Sequence, residues 1–524
     1  MRGTVIIGAG IAGLATAALL AREGHEVLVL EKNARVGGRA GTLEAEGFRF
    51  DTGPSWYLMP RVFDHFFELL GTTTAEQLEL VTLDPGYRVF REPVPGAPAE
   101  QVSVPHGRVR AQKLFESLEP GAGDRLGDYL DSAAHASTMA ERFFLYNTFT
   151  RWRSLLVPEV LGELPRLAGL LLRSLRSHAA ARFRHPVIRQ ILGYPAVFLG
   201  TNPAAAPAMY HLMSSLDLDE GVQYPIGGFW QLVQRMRTLA EQAGARIVTE
   251  AEATRISCTL GRSPRVTGVH WRGADGAERY EPARVVVSAA DLHHTETRLL
   301  PPRCRSRGQR WWRRRVSGPG AVLVMLGVRD ALPQLPHHSL LFTRDWEANF
   351  RDIFGRAPRV PEPASLYVCK PSASDDSVAP PGHENLFLLV PVPADPGLGG
   401  GGDAAIEAVA DAAIAQLASW AGIPDLSERI VVRRTLGPAD FERDYHSWRG
   451  GMLGPAHILS QSAMFRPQNA SKRLSGLYFA GGTVAPGVGV PMCLISAELV
   501  LKHLRADHSA GPTATKPVPE PAKA

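Results

Sequence analysis

The chain opens on a short unbroken apolar run, Val5-Ile6-Ile7, which predicts a strand. A glycine turn, an amphipathic stretch over 14–23 and a second strand over 26–31 follow. Residues 4–60 thus read as strand, turn, helix, strand and a glycine-rich return. From about 61 to 240 the pattern is mainly helical, with short Pro and Gly breaks. It switches to strands at 246–249, 266–271 and 284–288, separated by polar turns such as Ala274-Asp275-Gly276. Another strand is predicted at 320–328, then short strands with Pro-rich turns over 337–393, a flexible glycine loop at 396–402 and a helix near 403–420. A strand at 476–480 runs into glycines and a helix at about 491–504. From His508 the composition turns to Pro, Ala, Thr and Lys, which predicts a disordered tail. No internal repeat interrupts this order.

The first turn carries chemistry. Gly8-Ala9-Gly10-Ile11-Ala12-Gly13 fits G-x-G-x-x-G between a strand and a helix, the setting that dinucleotide binding requires. Gly8 permits the tight turn, Gly10 lets backbone N–H groups approach a pyrophosphate, and Gly13 lets helix and strand pack closely. The helix N-terminus adds partial positive charge. Glu31, 18 residues after Gly13, is placed to bind a ribose hydroxyl, and an acid there disfavours the 2′-phosphate of NADP.

Two further segments extend the site. Gly37-Gly38-Arg39, followed by Phe50-Asp51-Thr52-Gly53-Pro54, brings a second flexible backbone to the same phosphates, with Arg39 to neutralise them. Near the end, Gly476-Leu477-Tyr478-Phe479-Ala480-Gly481-Gly482 and Pro486-Gly487-Val488-Gly489-Val490-Pro491 deliver a strand onto a glycine turn and a helix start. Donors there suit a flavin's pyrophosphate and the pyrimidine side of its ring. The expected cofactor is FAD, held by Gly8, Gly10, Gly13, Glu31, Gly37, Gly38, Arg39, Thr52, Gly53, Pro54, Gly481, Gly482, Pro486, Gly487 and Val490. Gly318-Pro319-Gly320 precedes a strand rather than a helix, so no second site for NAD(P) is expected. Electrons are expected to leave to a quinone or to oxygen.

The fold expected is α/β: a Rossmann-type FAD-binding domain with a discontinuous substrate domain of mixed β-sheet plus helices. The division is 1–70 for the first FAD-binding part, 71–240 for a mainly helical substrate and membrane-associated part, and 241–300 for strands returning to the FAD-binding domain. Residues 301–470 form the substrate domain, 471–505 the C-terminal FAD-binding segment and 506–524 the tail.

The glutamate followed by Gly37-Gly38-Arg39 resembles the flavin amine oxidase and carotenoid desaturase superfamily. From about 4 to 504 the chain is similar to bacterial phytoene-type carotenoid desaturases. The residues that carry the likeness are Phe50-Asp51-Thr52-Gly53-Pro54-Ser55, Tyr224-Pro225-Ile226-Gly227-Gly228, Phe441-Glu442-Arg443-Asp444-Tyr445 and Gln461-Ser462-Ala463-Met464-Phe465-Arg466-Pro467-Gln468-Asn469. One departure stands out. Where that family often has Thr-His-Pro-Gly, this chain has Val484-Ala485-Pro486-Gly487, without the hydroxyl and the imidazole. The resemblance implies FAD-dependent dehydrogenation of phytoene or a related C30 or C40 polyene, in successive steps toward neurosporene- or lycopene-type products. The alternatives are another branch of the superfamily (a carotenoid ketolase, an amine oxidase or a protoporphyrinogen oxidase) or a non-catalytic flavin-binding scaffold at a membrane. Cys493 after Met492 does not match the late cysteine through which an amine oxidase often anchors its flavin.

Composition narrows the setting. Hydrophobic residues at 45% and charged residues at 21% fit an ordinary folded protein. The four cysteines form no CxxC pair, so a reducing compartment is expected. No apolar stretch approaches the roughly 18 residues of a spanning helix, and the apolar start leaves no room for a signal peptide. The expected location is cytoplasmic, peripheral at the inner face of the membrane. Leucines from Leu155 to Leu175 interleave with Arg153, Arg166, Arg173, Arg176, Arg182 and Arg184, as suits an interfacial helix on anionic lipid. Internal helices with solvated arginines are the other reading. From Arg303 to Arg315 seven arginines flank Trp311 and Trp312. Such a block suits a bilayer interface or a solvated helix face. Inside a flavoprotein it does not point to nucleic acid.

The reaction needs a base for the proton that follows the hydride, and the sequence does not identify it. Asp51 is the one candidate, with backbone or flavin binding the alternative for its carboxylate. His211, His337, His338 and His446 read as structural or surface residues. No cluster has metal-ligand spacing, so no metal is expected.

Overall fold

The computed structural model describes residues 3–150, 157–259 and 261–515. Both ends of the chain meet in one five-stranded sheet, ordered Leu477–Phe479, Val285–Ser288, Gly3–Ile7, Glu26–Leu30 and Arg246–Val248. All four pairings are parallel. Parallel strands are covered on both faces, which is why their apolar runs are continuous and do not alternate with polar residues. The first helix, Ile11–Arg22, packs on this sheet and against the C-terminal helix, Val490–Arg505. It departs from the amphipathic expectation: every residue from Ile11 to Ala21 is buried. Its alanines present little bulk, so neighbours close over all its sides.

The second lobe is built on a seven-stranded mixed sheet, ordered Ile430–Leu436, Gly320–Arg329, His383–Val392, Leu366–Cys369, His338–Phe342, Tyr87–Arg91 and Gln101–Val104. The pairing is antiparallel except between His338–Phe342 and Tyr87–Arg91. The central strand Gly320–Arg329 sorts its side chains by parity. Val322, Val324, Leu326 and Val328 pack in the cluster that includes the helix Ala404–Ala421, whereas Ala321, Leu323 and Met325 pack in the cluster on the other face.

Within the mainly helical segment 71–240, the strands Tyr87–Arg91 and Gln101–Val104 leave to extend the substrate sheet. Two expectations need correction. The glycine loop 396–402 is tied down by carboxylates. Asp395 accepts from Gly397 N at 2.9 Å, Asp403 from Gly400 N at 2.8 Å, and Asp440 from Gly401 N at 2.6 Å. The tail is ordered as far as residue 515. Lys502 donates to Ser509 O at 2.8 Å and Gly511 O at 2.7 Å, and Thr513 N donates to Glu498 at 2.6 Å. Residues 516–524 lie outside the described residues, as do Arg153, Leu155 and Leu156.

Candidate cofactor and substrate site

One cavity of about 690 Å³ begins at the glycine turns of the first lobe and continues between the lobes to the leucine helix, Leu164–Leu172. All the residues expected to hold the cofactor face it except Gly13 and Gly487. Those two serve packing. A Cβ on Gly13 would lie 1.9 Å from Gly8 O, and one on Gly487 would lie 2.3 Å from the His457 ring. The second glycine segment does approach the first: Gly37 N donates to Ala9 O at 2.8 Å, and a Cβ on Gly38 would lie 3.3 Å from Gly10 Cα. Two backbones at this separation form a cradle that any side chain would fill, as a pyrophosphate requires.

Glu31 is fixed at the cradle's edge by Ala9 N at 2.7 Å and Asn33 N at 2.9 Å. Burial pushes its carboxyl above the ordinary range, opposed by those backbone donors. Arg39 donates to Ser447 Oγ at 2.5 Å, approaches Asp291 at 3.9 Å and lies over the Tyr445 ring. Its buried Nε has no partner. An orphaned cationic donor beside a glycine cradle fits an anionic cofactor.

The sequence reading missed the wall opposite. Asn33 donates to Asp444 O at 3.1 Å and Lys32 to Arg443 O, so the segment from Arg443 to Ser447 closes the nucleotide end. His294 and His446 stack there with centroids 3.8 Å apart. Only the Phe441–Tyr445 run hinted at this wall.

The run from Gln461 to Asn469, which means little when read cold, is a brace for the C-terminal glycine turn. Arg466 is buried and donates to Val484 O at 3.0 Å, Gly482 O at 2.5 Å, and Pro455 O and Gln461 O at 3.3 Å. Asn469 Nδ2 reaches Phe479 O at 3.1 Å, Ala485 O at 3.0 Å and Ser496 Oγ at 2.9 Å. Buried carbonyls that leave regular structure need such donors.

Asp51 is not placed for base chemistry. Its carboxylate accepts from Phe229 N at 2.6 Å and Trp230 N at 3.3 Å, anchoring the start of the helix Phe229–Gln242. It does not face the cavity. Burial pushes its pKa up to about 7 in spite of these donors. His211 is likewise structural, held by Ala208 O and Ser132 Oγ, both at 2.9 Å. His337, His338 and Cys369 converge, with ligand-capable atoms within 4.8 Å of one another. Sequence spacing could not reveal this group, because cross-strand pairing of His338 with Cys369 creates it. Burial pushes the Cys369 thiol up to about 12, which disfavours the thiolate that a metal needs.

Charge along the cavity is one-sided. Among the described residues, the Asp, Glu, Lys and Arg side chains that line it are Glu31, Lys32, Arg39, Glu252, Asp291 and Asp444, all at the nucleotide end. The remainder is lined by groups such as Leu340, Phe342, Leu389 and Met209, and it reaches Leu167, Leu171, Leu459 and Phe465. Leu172 is 80% exposed and Phe465 60%. The basic block lies beside that end, with Arg315 donating to Ser460 O and Val316 N to Gln461 Oε1. Part of the block is structural: Trp312 is buried against Trp448 and His293, and Arg307 pairs with buried Glu296 at 3.2 Å. Arg303, Arg310, Arg313 and Arg314 remain exposed. No described helix is long and apolar enough to cross a membrane.

Residues 11–500 match the family model described as flavin containing amine oxidoreductase. The chain belongs to that family. A carotenoid 3,4-desaturase of Haloarcula japonica is 39% identical over 503 residues, covering 96% of this chain and 98% of that protein. A zeta-carotene-forming phytoene desaturase of Myxococcus xanthus is 33% identical over 508 residues, covering 96% and 94%. An oxidoreductase from Methanosarcina mazei shares the fold with a TM-score of 0.61 at 16% identity, covering 95% of this chain and 100% of its own. This flavin oxidoreductase accordingly takes FAD.

Proposed function

We propose that this chain is an FAD-dependent carotenoid desaturase, removing hydrogen from a CH–CH pair of a C30 or C40 polyene in successive steps. The observation that carries the reading is the one-sided cavity. Among the described residues its Asp, Glu, Lys and Arg side chains are confined to the cofactor end, and the rest is lined by apolar groups interspersed with neutral polar ones such as Ser55, Tyr210 and Tyr367 before ending at exposed leucines. A long polyene has no polar handle, so shape and burial must position it. Bound FAD supplies a two-electron hydride acceptor. The protein's own part is to align the chain, exclude water and take one proton for each hydride lost.

The 39% identical relative is named for 3,4-desaturation. That favours a second form of the reading, in which the substrate already carries a conjugated system and the new double bond forms near its end. The exposed leucines and the neighbouring arginines support peripheral attachment to anionic lipid at the inner, cytoplasmic face of the membrane. The electron acceptor in this reading is a quinone or oxygen, with no NAD(P) site.

The test is direct. Purified protein with FAD is incubated with liposomes carrying phytoene or an already conjugated C40 carotenoid, with a quinone or air as acceptor. The expected product has a longer chromophore, and whichever substrate yields it selects between the two forms. Flavin retained without any new chromophore from C30 or C40 polyenes would favour the scaffold or another branch of the family.

A further inference from the structure

Behind the cavity wall lies a line of neutral hydrogen-bonding groups that the cofactor site does not use. Ser55 follows the cofactor segment Thr52-Gly53-Pro54, and both Ser55 and Tyr367 face the cavity. Ser55 Oγ and Tyr367 Oη are 2.6 Å apart, and Tyr367 Oη is 2.8 Å from His338 Nδ1. His338 is fully buried, stacked on Trp56 with centroids 4.6 Å apart, and its Nε2 has no partner. The His337 ring stands edge-on to it at 4.5 Å, also with Nε2 unpartnered. His337 Nδ1 lies 3.0 Å from Ser374 Oγ, which is half-buried at the outer side.

Two buried imidazoles with unsatisfied nitrogens are costly unless something uses them. Burial holds both well below the usual histidine range, so both are neutral, and His338 offers its Nδ1 lone pair to the Tyr367 hydroxyl while Nε2 carries the hydrogen. A weak base is sufficient here. Once hydride has left a carbon chain, the allylic cation that remains is a strong acid, and its deprotonation needs position more than basicity.

We infer that Ser55, Tyr367 and His338 form the proton acceptor of the desaturation. The inference rests on the desaturase reading. In the step, a C–H bond next to the cation breaks and its electron pair becomes the new double bond. The proton passes to Ser55 Oγ, the Ser55 proton to Tyr367 Oη, and the Tyr367 proton to His338 Nδ1. His338 holds it as an imidazolium until the product has left, and the same line returns it through Tyr367 and Ser55 to water entering the cavity. Ser55 is the group that meets the substrate; Tyr367 and His338 act through it.

The inference is tested on the FAD-loaded protein with liposome-borne polyene that the wild type converts. Tyr367→Phe and His338→Gln each break the line. Each should lower kcat about 100-fold while FAD retention and polyene KM of the folded protein stay near wild type. The double variant should be no slower than either single one, because a line is broken only once. Ser55→Ala should fall likewise, whereas Ser55→Thr, which keeps the hydroxyl, should stay within threefold. A Tyr367→Phe protein with kcat within threefold of wild type would overturn the inference. So would losses that appear in FAD retention or KM instead of kcat, or that multiply in the double variant. If the wild type converts no polyene at all, it is the desaturase reading that fails.

Discussion

Asp51 is packed so closely on Gly228 that a Cβ at position 228 would lie 2.4 Å from Asp51 Oδ2. The contact joins the end of the strand Phe48–Asp51 to the start of the helix Phe229–Gln242, and it explains both residues. Gly228 has φ +77° and ψ −177°, a region that side chains make costly by about 1–3 kcal/mol. Gly228→Ala should therefore lower stability by at least about 2 kcal/mol in denaturant titration. Asp51 adds a pH signature. Its folded pKa of about 7 is above the unfolded value of 3.8, so the protonated form favours folding. That contribution is present at low pH and is lost as pH rises through about 4 to 7. Asp51→Asn should flatten the thermal midpoint over that window, while the wild type declines across it.

Arg466 and Gly482 make the second test. The buried guanidinium reaches four carbonyls, of which Gly482 O and Val484 O belong to the C-terminal glycine turn that lines the cavity. A lysine has one charged centre and cannot fork between them. Arg466→Lys should raise the FAD dissociation constant at least tenfold, read by flavin fluorescence on apoprotein. Arg466→Met should also cost about 3 kcal/mol of stability, because the carbonyls are left without donors.

Lys502 sets the third. Its ammonium donates to Tyr146 O at 2.9 Å as well as to Ser509 O and Gly511 O, so it ties the tail to the end of the segment that lines the cavity near Asn147. Lys502→Met should lower stability by about 2–3 kcal/mol. A chain ended after Ala506 should lose a comparable amount, since the buried ammonium then keeps only Tyr146 O. A truly disordered tail would leave both midpoints unchanged.

The cofactor half was legible because its constraints are local. Gly8 sits at φ +97°, a Cβ on Gly13 would lie 1.9 Å from Gly8 O five residues earlier, and Glu31 is placed by the strand that precedes it. The pairing of Leu477–Phe479 with Val285–Ser288 was inferable only as a return of the chain, not as a register. The strands Tyr87–Arg91 and Gln101–Val104 were hidden because each is five residues or fewer, and the hairpin they form joins the sheet only through His338–Phe342, some 250 positions away. Tail order was equally out of reach: Lys502 and Glu498 look like surface charges until their acceptor and donor are folded back onto them. The contact of Tyr367 with His338 was out of reach too, because it forms only across a sheet.

The apolar rim at the cavity's far end gives the last prediction. Leu171 both lines the cavity and is 39% exposed, Leu172 is 80% exposed, and Phe465, which also lines the cavity, is 60% exposed. Apolar side chains left in water on both sides of an opening lower the free energy of a lipid-bound state, at about 25 cal/mol for each Å² covered. The exposed Arg310, Arg313 and Arg314 add attraction to anionic headgroups, about 1 kcal/mol each near the surface. Leu172→Asp with Phe465→Asp should therefore reduce sedimentation with anionic liposomes more than tenfold. Arg310→Gln with Arg313→Gln and Arg314→Gln should weaken it mainly at low salt, where screening is least. In both variants FAD retention and the thermal midpoint should match wild type, since neither set touches the cradle or the core. Polyene turnover from liposomes should fall with binding, and substrate presented in detergent should restore it. Unchanged sedimentation in both variants would show that this rim does not meet lipid.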